Sequence, residues 1–170
     1  MLKVIGAVLI MAGTVGLGWR GVERLGERIE VLRGLQGSVA YLEEELAFRF
    51  TPLPQLFERL SKNRKGAVGA FFGSVRKKME QCEEVPLRKS WWQGVEETLS
   101  VLREEEQKTV AELGEVLGQY DAQTQVQTLR LAGERLAGFY LAAQEERGRL
   151  GKVYLALGSA GGLMTVLMLI

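Results

Sequence analysis

The chain's 170 residues suffice for one modest core, but 22 Lys and Arg against 21 Asp and Glu leave no cationic excess for a phosphate backbone, which argues against a nucleic-acid partner. With no histidine and a single cysteine, Cys82, the usual zinc and redox-metal ligand sets and the Ser-His-Asp and Cys-His nucleophile pairs are missing. No cofactor, metal or catalytic residue is therefore expected, and a lone Cys82 agrees with a reducing compartment. Only Pro52, Pro54 and Pro86 interrupt tracts rich in Leu, Glu, Gln, Arg and Ala, so the expected class is all-α, an antiparallel helical bundle.

In chain order, Lys3 precedes an uncharged run over residues 4–19. That layout would suit a signal peptide, but Arg20, Arg24, Arg28 and Arg33 follow it and resist translocation, which favours a retained span. An apolar stripe of Leu25, Ile29, Leu32, Leu35, Val39, Leu42, Leu46 and Phe50 then continues as one helix face. Glu43, Glu44 and Glu45 beside it read as a solvated face.

In Thr51-Pro52-Leu53-Pro54, Thr51 supplies an N-cap oxygen and proline suits the first turn, so a new helix starts, carrying Leu56, Phe57 and Leu60. After a polar run over residues 61–66, the next stripe holds Val68, Phe71, Phe72, Val75 and Met79. It ends in Arg76, Lys77 and Lys78, which suit a helix C-terminus. Pro86 restarts the chain before Trp91, Val95, Leu99 and Leu102. Trp91 is expected in the core and Trp92 partly exposed, with partner contact the lesser reading for Trp92.

Val110, Leu113 and Leu117 lead to Gly118, and Asp121 is the expected N-cap of a long helix, with Thr124 where a full capping box would place Glu or Gln. Leu129, Ala132, Leu136, Phe139 and Ala143 step along it as a coiled-coil-like seam. Arg147, Arg149 and Lys152 precede a second uncharged run, the eighteen residues 153–170, about 27 Å as a helix and close to the thickness of bilayer hydrocarbon. The expected organisation is a transmembrane helix over 1–19, a cytoplasmic bundle over 20–152 and a second transmembrane helix over 153–170 that acts as a tail anchor. Ala12 and Gly16 in the first run, and Gly158 and Gly162 in the second, suit close packing of helices in lipid.

No phosphate-binding loop is present, since the segment from Gly66 to Gly73 lacks the following Lys. Neither uncharged run contains an Asp, Glu, Lys or Arg, which disfavours a transporter made by this chain alone.

Taken together, Leu2-Lys3-Val4-Ile5-Gly6-Ala7, Thr51-Pro52-Leu53-Pro54, Leu117-Gly118 with Asp121 and Gln125, and Lys152-Val153-Tyr154 with Leu157-Gly158 and Gly161-Gly162 resemble the stage III sporulation protein AB family of endospore-forming bacteria. The resemblance covers essentially the whole chain, with a Tyr120-Asp121-Ala122-Gln123 segment less charged than the family pattern. It implies a relative of the F-type platform proteins of type II secretion and type IV pilus systems, without enzymatic activity. Such a protein would sit in the mother-cell membrane around the forespore and help build the channel, or feeding tube, that supports late forespore gene expression. The implied partners are a cytoplasmic ATPase of the same set, other membrane proteins of the channel complex, the lipid bilayer and further copies of the chain. Thr51, Pro52, Pro54, Trp91, Gly118, Asp121 and Gln125 are the expected structural or partner-contact residues. The competing reading is a membrane-anchored regulator or chaperone that binds a soluble client.

Overall fold

The computed structural model describes the backbone of residues 2–49, 51–81 and 86–169, and the side chains of 21, 23–49, 51–81, 86–151, 153, 156 and 160. Among these residues there are six helices and no strand: α1 Leu2–Phe48, α2 Leu53–Asn63, α3 Gly66–Gln81, α4 Leu87–Thr98, α5 Glu104–Val116 and α6 Ala122–Leu169. The all-helical expectation holds. The expected continuity of the first uncharged run with the stripe after it is met at the backbone, because α1 has no break.

Two compact units are formed, one of Glu30–Tyr140 and one of Met1–Ile29 with Leu141–Ile170. The first holds the main core. Leu32, Leu35, Val39 and Leu42 of α1 are buried with Leu129, Ala132 and Leu136 of α6. The other helices add Leu56, Phe57 and Leu60, then Phe71, Phe72 and Val75, then Trp91, Val95 and Leu99, and finally Val110, Leu113 and Leu117. Burial at helical spacing on every element is what holds helices this short, since most would be marginal alone in water. Here α1 and α6 run antiparallel, with Arg130 Nε donating to Glu43 Oε1 at 3.0 Å.

Helix breaks follow local chemistry. Pro52 and Pro86, with φ of −59° and −57°, are the N-cap residues of α2 and α4. Neither can donate a backbone hydrogen bond, and a helix start needs none there. At α5 the buried Glu106 carboxylate accepts the Arg103 N–H at 2.9 Å, and Glu104, Glu105 and Glu106 face the positive end of the helix dipole.

In the second unit, Arg28 of α1 is buried and its Nη1 donates to Glu146 Oε2 of α6 at 2.8 Å. Among the described residues no helix is long and apolar enough to cross a membrane. The side chains of both expected spans lie almost wholly outside the described residues, those of Ala12, Gly16, Gly158 and Gly162 included. Phe50 and Cys82 also lie outside them.

Candidate interaction surface

Thr51 does not cap α2. The helix starts one residue later than its motif suggests, with Pro52 as N-cap, and the Thr51 hydroxyl instead donates to Glu45 Oε2 at 2.7 Å. A second correction follows. Glu45 is not on a solvated face: it is 2 % exposed, whereas Glu44 is exposed and Glu43 half-buried.

The buried carboxylate is well served. Arg49 Nη1 donates to its Oε1 at 3.0 Å, and Arg59 Nη1 stands 3.7 Å from its Oε2 while donating to the Tyr41 hydroxyl at 3.4 Å. The Thr51 hydrogen bond, followed by Arg49, Arg59 and Tyr41, lowers the Glu45 pKa below its ordinary 4.5, although burial alone would raise it. This arrangement ties the end of α1 to the start of α2.

A lowered folded pKa contributes stability that is full above the unfolded value and fades as pH falls through the folded one. Glu45→Gln is expected to lower the unfolding midpoint at neutral pH, with the gap to the unaltered chain closing as pH falls below the ordinary 4.5 and through the lowered folded value. Glu58, Glu97 and Asp121, whose pKa values are also lowered, titrate alike in both chains and cancel from the comparison. Thermal melts of the two proteins at several pH values check this; a gap independent of pH would mean that Glu45 is not held as the carboxylate.

The turn between α5 and α6 meets the same end of the bundle. A Cβ placed on Gly118 would lie 3.4 Å from Leu53 Cδ1 of α2 and 3.7 Å from Leu87 Cδ2 of α4. Gly118 has φ +78°, a left-handed conformation that side chains with a Cβ resist, and this lets the chain leave α5 sharply. Gln125 then closes the turn from within α6, its Oε1 accepting the Gly118 N–H at 3.3 Å and its Nε2 donating to the Tyr120 carbonyl. Asp121 caps α6 as expected, Oδ1 accepting the Thr124 N–H at 3.0 Å and Oδ2 the Thr124 hydroxyl at 2.7 Å.

Thr51, Pro52, Pro54, Gly118, Asp121 and Gln125 thus gather at one end, and Trp91 does not. Trp91 is enclosed in the core, where its Nε1 donates to the Val110 carbonyl at 2.8 Å. The gathered residues are rigid turn-formers, and what they hold out to solvent is aromatic: Phe48, ending α1, is 79 % exposed and Tyr120, at the α5–α6 turn, 57 %. Neither aromatic stood out in the sequence, though each adjoins a helix boundary signal that could have marked it as exposed. Among the described residues no group of His, Cys, Asp or Glu is placed to hold a metal ion. The chemistry on offer is that of a firm, partly apolar contact surface.

Comparison with known proteins agrees with this helical framework. The family model for stage III sporulation protein AB matches residues 3–170. The stage III sporulation protein AB of Bacillus subtilis (strain 168) is 27 % identical over 172 residues, 99 % of each chain. A solved structure of a stage III sporulation protein AB shares the fold with a TM-score of 0.66 at 22 % identity, covering 72 % of this chain and 98 % of that one. The match of the family model over residues 3–170 places the helical framework: the chain belongs to the stage III sporulation protein AB family.

Proposed function

We propose that this chain is a non-enzymatic membrane platform of the channel between mother cell and forespore, anchored at both ends, and that its bundle docks the cytoplasmic ATPase of the same sporulation set. The observation that carries this reading is the gathering of six motif residues behind the exposed Phe48 and Tyr120 at one end of the Glu30–Tyr140 unit. Exposed aromatics on a rigid base are what a protein partner uses as anchors, because they bury large area with little loss of side-chain freedom. Support for anchoring comes from the uncharged runs 4–19 and 153–170 with arginines on their inner flanks, which orient the bundle towards the cytoplasm. Docking there would supply the channel with the ATPase's work and so sustain late forespore gene expression.

The test is recruitment. In cells making the full chain, the ATPase should co-sediment with membranes, and the double variant Phe48→Ala/Tyr120→Ala should lose at least about tenfold of that recruitment while its own abundance stays level. Undiminished recruitment by the double variant would remove this surface from the reading, and release of the unaltered chain by alkaline carbonate would remove the anchors.

A further inference from the structure

A second surface lies on the other side of Trp91's neighbour. Between α4 and α5 is a groove of about 460 Å³ with Trp92, Glu96, Glu104, Lys108, Glu112 and Glu115 on its walls. Val95 and Ala111 are buried and form an apolar floor, while the indole of Trp92 remains 49 % exposed. Four carboxylates outnumber the single ammonium of Lys108.

The charges are not all spoken for. Glu112 meets Arg135 at 3.4 Å and Glu115 meets Arg88 at 3.2 Å, but Glu96 and Glu104 are exposed and take part in no ion pair among the described residues. An aromatic face attracts a cation through its quadrupole, and a concave wall of one charge sign concentrates the field in the cleft. From Glu104 to Glu115 the α5 wall runs about 16 Å, longer than any single small cation can cover. The fit is therefore a stretch of chain bearing several positive charges.

We propose that this groove receives an arginine-bearing segment of a partner protein, one guanidinium stacking on Trp92 and others pairing with Glu96 and Glu104. Arginine suits the site better than lysine because its flat, weakly hydrated cation can stack and bridge at once. The groove shares no residue with the Phe48 and Tyr120 surface, so each can fail alone.

The test uses the full chain in mild detergent and, as probe, a short peptide of alternating Arg and Ala, its binding followed by tryptophan fluorescence and by fluorescence anisotropy of the labelled peptide. Trp92→Ala and the double variant Glu96→Gln/Glu104→Gln should each raise Kd about tenfold, and replacing Arg by Lys in the peptide should weaken binding severalfold. Glu44→Gln/Glu134→Gln, which removes two exposed carboxylates outside the groove, should leave Kd unchanged. Circular dichroism melts confirm that each variant is folded. Equal weakening by the control pair, or none by the groove variants, would reduce the effect to general attraction of charge and overturn the proposal.

Discussion

Trp91→Ala is expected to lower the unfolding free energy by about 3–5 kcal/mol, the range found when a large enclosed aromatic is deleted. The indole is 1 % exposed and stands at the centre of a ring cluster, with centroids 4.9 Å from Phe71, 5.5 Å from Phe57 and 6.0 Å from Phe72. Phe71 meets it edge-on at 85°, the arrangement that the ring quadrupoles favour. Removing the side chain leaves a cavity among three phenyl rings and takes from the Val110 carbonyl the indole N–H that it accepts besides its place in the α5 hydrogen-bond ladder. The neighbouring α5 is shaped around this side chain, since a Cβ on Gly114 would stand 2.5 Å from Trp91 Cγ. Gly114→Ala should therefore cost about 1–3 kcal/mol by overpacking, and much less once Trp91 is already Ala, because the clash has gone. Denaturant unfolding of the two single variants and the double variant measures that coupling. Strictly additive losses would mean that α4 and α5 do not meet through this pair.

The Trp91–Gly114 pair also marks how far the sequence could be read. Stripes at helical spacing marked most of the buried apolar residues of the Glu30–Tyr140 unit, although Leu46, Met79 and Phe139 are only half-buried, because a helix in water must bury its apolar side and the period betrays which side that is. Trp91 could be told from Trp92 in this way. Its partner could not: a glycine within a helical stretch has no side chain to contribute to the pattern, and the need for it arises only when an indole comes in from another helix.

Glu45 escaped for a related reason. Its place in the sequence, next to Leu46 and three residues after Leu42, marks a flank of the stripe, and a flank is solvated when a helix has one neighbour. Here α1 has neighbours on two sides within the Glu30–Tyr140 unit. Val39 lies beside Gly133 of α6, while Gly34 and Gly37 approach Val68 of α3 and Arg64 after α2. Ser38 and Glu45, seven residues apart on that wider face, are both buried. A single stripe predicts one contact; the polar residues of the second became legible only with the packing. At the α5–α6 turn the sequence did better, because Gly118 and Asp121 act through their own backbone and immediate neighbours, and such local chemistry does not depend on which helices come alongside.

Leu136→Asp is expected to be as damaging as any change on α6, about 4–5 kcal/mol, by placing a carboxylate where no donor is waiting. Leu136 is fully enclosed, on the seam with Leu129 and Ala132, whereas Leu131 on the same helix is 53 % exposed. Leu131→Asp should accordingly stay within about 0.5 kcal/mol of the unaltered chain, so the pair separates burial from any general effect of a negative charge on α6. Leu46, on the same stripe of α1 as Leu42, is only half-buried, and Leu46→Asp should cost less than Leu42→Asp. The acid response gives a further check on the cause. A carboxylate buried without partners has its pKa raised, so its penalty is greatest above that pKa and shrinks as falling pH neutralises it. Relative to the unaltered protein, the Leu136→Asp chain should therefore recover stability in acid, as measured by thermal melts between neutral and acidic pH. Glu45, buried among a hydroxyl and two guanidinium groups, behaves in the opposite sense, because its neighbours favour the charged form. If Leu136→Asp lost stability further in acid, the introduced carboxylate would have found donors, and the seam would not be closed at this position.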